Sequence, residues 1–350
     1  MKKIIIILMA FLLTGCYDYH ELNDLEIVSS MVVDYEDDNY IVNIEVLDTS
    51  DSASKGSYFL SGEGKSLEAA INDVFFDSAL IPFYSHMKTL IVSEAVAERG
   101  MEDFFDYLLR DTQTRKDFYI FIAENVDDIL EYETDPKESI GEMAKMNAKK
   151  NQEKNGHFRT LTFRELMYQY LRGNYYMLGS LAIEDDTITL KDTYLFVDNK
   201  KELKVDEEAV LFANILYEQN HSFQVFGDYS YEVYDYKLNR KVEKGKITFE
   251  LKGLARLLDA KQANSLDEKE LKKLESKLSD DVKTKGMEII DYTKRLDYDM
   301  FNINYFYYLY HPKSLKTDTW KSIDCELKVD IQISEKGSLL KALGGSKNGK

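Results

Sequence analysis

Ile323-Asp324-Cys325-Glu326-Leu327-Lys328-Val329-Asp330-Ile331-Gln332-Ile333 alternates apolar and polar residues without a break. That period puts one set of side chains on each face of a β-strand. The apolar set (Ile323, Cys325, Leu327, Val329, Ile331, Ile333) needs a cover, and the preceding sequence supplies one. Ser265-Leu266-Asp267-Glu268 reads as a capping box. It opens a long helix whose Leu271, Leu274, Leu278, Val282, Ile289 and Leu296 fall along one stripe. Before it, residues 221–251 are β-rich and heavy in tyrosine. A C-terminal domain over 218–340 is therefore expected, with one long amphipathic helix against an antiparallel sheet. Cys325 then lies in the core as a small hydrophobe, not as a reactive thiol.

Upstream, short strands and helices take turns. Residues 25–33 and the alternating Tyr40, Val42, Ile44 and Val46 predict a hairpin turned at Glu36-Asp37-Asp38-Asn39. Residues 48–57 read as a polar loop. Ser66 caps a helix with Leu67, Ile71, Val74 and Phe75 at helical spacing. Residues 88–93 and 118–123 read as strands. Between them lies a helix with Met101, Phe104, Phe105 and Leu108 on one face, and after them a short helix capped by Asn125. Two further helix starts follow, Asp135-Pro136-Lys137-Glu138 and Thr162-Phe163-Arg164-Glu165. Residues 149–156 between them read as a polar, mobile connection, and Gly173 ends the second helix. A strand pair over 177–198 turns at Asp185-Asp186, and Asp206 opens a helix with Val210, Leu211 and Ile215. The order argues for a mixed α/β (α+β) fold. Three domains of mixed sheet and packed helices are expected, at 16–178, 179–217 and 218–340, with a disordered tail at 341–350.

The N-terminus carries a different signal. Lys2 and Lys3 precede an unbroken apolar run over residues 4–13, and Leu13-Thr14-Gly15-Cys16 closes it. Charged, apolar and small residues in that order read as a secretory signal peptide over 1–15. A cysteine just past the cut reads as a lipobox, its thiol the site of lipidation. The run is about half of the ~20 residues a spanning helix needs. Diacylglycerol plus an N-acyl chain of the palmitate class supplies the two signals stable anchoring takes. The chain is therefore expected outside the cytoplasm, held to a membrane at Cys16. Net charge is −18 over 350 residues, which leaves no general basic field for nucleic acid or for anionic phospholipid. With Cys16 acylated, Cys325 has no partner, and stability must come from packing.

Residues that could carry chemistry have plainer roles beside them. Gly62-Glu63-Gly64-Lys65-Ser66 resembles the end of a phosphate loop, but the glycine required five residues before Gly64 is Phe59. His20, His86, His157, His221 and His311 are scattered without metal-ligand spacing. Asp297 and Asp299, two apart on a strand, would share a face as a glycosidase-like pair, or would cap a turn. The aromatic stretch 300–310 reads as half-buried strand, suited to packing and protein contact. No cofactor, no metal and no catalytic constellation is expected.

The order of short motifs adds a family. Gly15-Cys16-Tyr17-Asp18-Tyr19-His20-Glu21-Leu22-Asn23-Asp24 resembles the opening of the Ger(x)C lipoproteins, the C subunits of spore germinant receptors, with Tyr17 where a tryptophan is usual. Gly64-Lys65-Ser66-Leu67-Glu68-Ala69-Ala70, His86-Met87-Lys88, Arg110-Asp111, Gly179-Ser180-Leu181-Ala182-Ile183 and Trp320-Lys321 resemble later family blocks in the same order. No glycine occurs in residues 297–304, where the family usually has one. The resemblance implies a three-domain, non-enzymatic subunit of a membrane germinant receptor, on the extracytoplasmic face of the spore inner membrane. Its partners would be integral A- and B-type subunits, and the complex would sense a small germinant. Cys16 is then the lipidation site, and Tyr17, Asp18, Glu21, Leu22, Asn23 and Asp24 form the stretch offered to partners. A solute-binding lipoprotein of a transporter and a lipid-anchored cell-wall hydrolase are the alternatives.

Overall fold

The computed structural model describes residues 24–48, 56–133, 138–218, 220–258, 267–312 and 320–335. The expected signal peptide over 1–15, residues 16–23 and the expected tail over 341–350 lie outside them. The first strands, β1 (Leu25–Glu36) and β2 (Asn39–Leu47), pair as the expected hairpin. Asp37 and Asp38 both take positive φ, as a tight two-residue hairpin turn requires. β3 (Ser57–Gly64) adds antiparallel to β2, so the glycine run lies at a strand end and is no phosphate loop. A Cβ at Gly62 or Gly64 would sit 2.5 Å from the backbone of Ala70, so these glycines let α1 (Leu67–Asp77) lie close against the strand.

β4 (Ile81–Phe83) runs parallel to the start of β1. β5 (Thr89–Val92), α2 (Glu94–Arg99), α3 (Glu102–Arg110), β6 (Tyr119–Ala123) and α4 (Val126–Glu131) follow as the alternating pattern predicts. α5 spans Ile140–Lys150, and β7 (Leu161–Thr162) leads into α6 (Phe163–Gly173). The strands β8 (Tyr175–Glu184), β9 (Thr187–Val197) and β10 (Lys200–Lys204) complete a ten-stranded sheet ordered β10-β9-β8-β6-β5-β1-β2-β3, with β4 and β7 beside it. Its centre, β8-β6-β5-β1, is parallel, and antiparallel hairpins flank both sides. One face buries the apolar sides of α1, α3 and α6; the other buries Ile129, Ile140, Ala144 and Ala148 of α4 and α5. Each fully buried large apolar side chain stabilises by roughly 1.5–3 kcal/mol, so both helical layers are needed to hold a sheet this wide.

The boundary expected between 178 and 179 falls inside β8, and residues 179–204 extend the large sheet. The Asp185-Asp186 turn is present, with both residues at positive φ. Hairpin periodicity says nothing about which sheet the hairpin joins, and this one is captured by β6.

α7 (Glu207–Leu216) begins at Asp206, as expected. The second sheet orders β11 (Ser222–Val225), β12 (Tyr231–Glu243), β13 (Lys246–Leu257) and β14 (Asp324–Glu335). Three strands are antiparallel, but β14 joins β13 in parallel. The cause is the long crossover between them, α8 (Glu268–Leu296) and α9 (Ile303–Tyr310), since a parallel neighbour needs a dozen or more residues of connection. α8 packs on β14 through Leu278, Val282 and Ile289, and Cys325 is buried in that core.

Several local expectations shift. Asp267, not Ser265, is the N-cap of α8, with Glu270 completing the capping box. Residues 265–266 and 134–137 lie outside the described residues, and the N-cap of α5 is Ser139. Residues 149–156 are no loose connection: α5 runs on into a π-turn over Asn151–Asn155, ended by Gly156 at φ 79°. Buried Asn151 donates to the Phe158 carbonyl at 2.8 Å and holds the turn shut. The capping box at Thr162 and Glu165 forms as predicted.

Candidate functional site

The site residues read from the sequence lie at the entry to β1. Asp24 is exposed there, and Cys16, Tyr17, Asp18, Glu21, Leu22 and Asn23 precede the described residues. Around this entry, three elements converge on one buried carboxyl, Glu26. Tyr58 of β3 donates its hydroxyl to Glu26 Oε1 at 3.4 Å, and the hydroxyl of Ser78, just past α1, bonds Glu26 Oε2. Parallel pairing of Leu25 with Ile81 brings Leu80 beside Asp24. α1 was expected to bury Phe75 with Leu67, Ile71 and Val74. The last three are buried, but Phe75 points outward, because consecutive residues diverge by about 100° around a helix.

Asp297 and Asp299 do not share a strand face. Asp297 takes the left-handed conformation past α8 and pairs with Lys321. Asp299 is buried and caps α9, accepting the backbone N–H of Ile303 at 2.8 Å and of Asn304 at 2.9 Å. Burial raises its pKa to about 6, against the pull of those two donors. Turn capping is the role found. The aromatic stretch is helical, not strand: Phe301, Ile303 and Tyr307 enter the core, while Leu309 and Tyr310 face out. Within the helix the buried Ile303 and Tyr307 are four residues apart, a period masked because Tyr305, Phe306 and Tyr308 around them are also aromatic. α9 touches α6, where Arg172 stacks on Tyr305 at 5.3 Å, and Tyr168 and Leu171 of α6 are also exposed.

A polar junction beneath α9 had no sequence signal. Arg159 is fully buried and donates through Nη1 to Asn214 Oδ1. Its guanidinium lies 4.8 Å from the centre of the Tyr217 ring, and burial lowers its pKa to about 10. Tyr217 donates to the Met300 carbonyl at 3.2 Å and accepts from Asn302 at 2.8 Å. The chain of contacts runs from the loop after the π-turn, through α7, to the cap of α9. It couples the large sheet's flank to the C-terminal sheet, as does His221 N–H donating to the Gln152 carbonyl at 2.9 Å.

A cavity of about 300 Å³ opens between α7, α8 and β11. Phe212, Phe223, Val282 and Ile289 form its walls, and Lys285 pairs with Glu208 at the rim. The other family positions are local caps and turns. Arg110 pairs with Asp106 on an exposed helix face, and Asp111 caps the next turn by accepting from Gln113 and Thr114 at 3.0 and 2.9 Å. His86 is exposed beside Phe83. Among the described residues, no helix is long and apolar enough to cross a membrane.

Two family models match in succession. Residues 18–179 match the "Spore germination protein N-terminal domain" and residues 167–337 the "Spore germination B3/ GerAC like, C-terminal" domain. The putative spore germination protein YfkR of Bacillus subtilis is 30% identical over 159 residues, covering 41% of this chain and 41% of YfkR. Spore germination protein KC of the same organism is 26% identical over 144 residues, covering 36% of this chain and 35% of the relative. The chain thus aligns with well under half the length of either relative. The crystal structure of the GerBC protein superposes with a TM-score of 0.52 at 13% identity, covering 87% of this chain and 96% of that one. The likeness in fold extends over nearly the whole of both chains.

Proposed function

Because this chain belongs to the Ger(x)C family of spore germination proteins, we propose that it is a lipid-anchored, non-catalytic subunit of a membrane germinant receptor. The observation that carries the reading is the unbroken match to both family domains, from residue 18 to residue 337. Acylated Cys16 holds the protein to the extracytoplasmic face of the spore inner membrane. Tyr17, Asp18, Glu21, Leu22, Asn23 and Asp24 connect that anchor to the folded body. The body assembles with integral A- and B-type subunits, and the complex responds to a small germinant. The mechanism is coupling: germinant binding changes a contact equilibrium, and this subunit biases which state is populated. The exposed face of α6 and α9, with Tyr168, Leu171, Leu309 and Tyr310, suits protein contact.

A Cys16→Ala chain tests the anchor. It is expected to leave the membrane fraction of spores, while the wild-type chain stays there and gains the mass of its acyl groups. Retention of the alanine chain in the membrane, with no lipid on wild type, would overturn the anchor.

A further inference from the structure

The end of the molecule where the chain enters β1 also carries Phe76, the most exposed large hydrophobic side chain among the described residues. Phe76 is 80% exposed and Phe75 is 49% exposed, their rings in edge contact at 6.1 Å. Leu80 and Tyr58 are exposed beside them. The corner is firmly built. Glu26 takes hydrogen bonds from Tyr58 and Ser78, so α1's end, the β3 start and the β1 start are fixed to one another. Leu80 stands next to Asp24 by the register of β4 on β1.

We propose that Phe75, Phe76 and Leu80 form a tip that beds in the interface of the bilayer holding Cys16, an inference that rests on lipidation at that residue. Seven residues lie between Cys16 and Asp24, so eight Cα-to-Cα steps separate the two. At no more than about 3.6 Å each they reach at most ~29 Å, so this corner cannot stand far from the membrane surface. Three side chains are far fewer than the roughly 20–30 residues a side of a stable protein interface. They are the size and kind of a shallow interfacial anchor, where aromatic rings and leucine are favoured. The acidic body gains nothing from anionic lipid, so the tip's attraction is apolar. Its effect is orientation. The acyl chains hold the protein, and the tip fixes which face turns toward neighbours in the membrane.

The test uses the full acylated chain, its lipid verified by mass spectrometry, in vesicles of zwitterionic phosphatidylcholine. The sequence has one tryptophan, Trp320, which is buried in the C-terminal core and serves as background. A Phe76→Trp chain adds a reporter at the exposed tip. Bromine-labelled acyl chains are expected to quench the added emission at least twofold, equally in low and high salt, and to leave the wild-type emission unchanged. Loss of lipid at Cys16 in the mass spectrum would remove the anchor itself. Intact lipid and vesicle binding with no quenching at residue 76 would overturn the tip alone. Quenching absent in lipid, with residue 76 becoming shielded only when integral subunits are reconstituted, would also overturn it and assign the corner to protein.

Discussion

Replacing Glu45 by alanine is expected to lower the stability of the large-sheet domain by about 3–5 kcal/mol, a large part of the ~5–15 kcal/mol typical of a domain. Glu45 is fully buried on β2. Its Oε1 accepts from Ser57 Oγ and Ile140 N–H, both at 2.7 Å, and its Oε2 from Ser30 Oγ at 2.8 Å and Gly141 N–H at 3.0 Å. Two of those donors are free N–H groups at the start of α5, where a carboxyl also meets the positive end of the helix dipole. Gly141 allows the approach, since a Cβ there would sit 2.5 Å from the Ser29 carbonyl oxygen. Alanine leaves three buried donors, Ser30 Oγ and the N–H groups of Ile140 and Gly141, and the half-buried Ser57 hydroxyl without this acceptor. Glutamine keeps the shape but sets an NH₂ against donors, so a smaller loss is expected. Chemical denaturation of the soluble body, with hydrogen exchange at Ile140 and Gly141, measures both. An unchanged midpoint in the alanine chain would show that α5 is held by apolar contacts alone. α5 carries the π-turn whose Gln152 and Glu153 carbonyls accept from His221 and Ser222, so its loosening should reach the C-terminal sheet.

The second large effect depends on pH and on Asp299. Its folded-state pKa of about 6 lies above the ordinary value of 3.8 because burial disfavours the charged form. Between these values the folded protein binds the proton more tightly than the unfolded chain. Stability from this group therefore rises as pH falls through 6 and is fully developed below about 4. The amide of an Asp299→Asn chain does not titrate. Wild type should thus gain on that variant as pH is lowered from 7 to 4, by on the order of 3 kcal/mol. The comparison cancels the opposing loss from carboxyls held low by partners, such as Asp111 and Glu232. Denaturation curves of the two chains that stay parallel across this range would contradict the assignment.

Much of this fold could be read because local signals and tertiary demands agree. Thr162 and Glu165 cap a helix start from half-buried positions, and the turns at Asp37-Asp38 and Asp185-Asp186 need residues that tolerate positive φ. Alternation from Ile323 to Ile333 marks a strand wherever its partner lies. It does not reveal direction, so the parallel pairing of β14 depends on the α8–α9 crossover. Glu45 and Arg159 read in sequence like any other charged residues of this chain, and only long-range packing makes them buried. Val74-Phe75-Phe76 did hold a sign of the exposed corner, for three consecutive large residues on a helix cannot all face one core. The proposed membrane link at Cys16 rests on a short motif alone, and the structure adds what surrounds the chain where its described residues begin, at Asp24.

Affinity capture of the full acylated chain from gently solubilised spore membranes tests the receptor assignment most directly. Integral A- and B-type subunits should be recovered with the wild-type chain, and lost when Cys16 is replaced by alanine. A lipidated wild-type chain recovered alone, or with the membrane subunits of a transporter, would contradict the assignment.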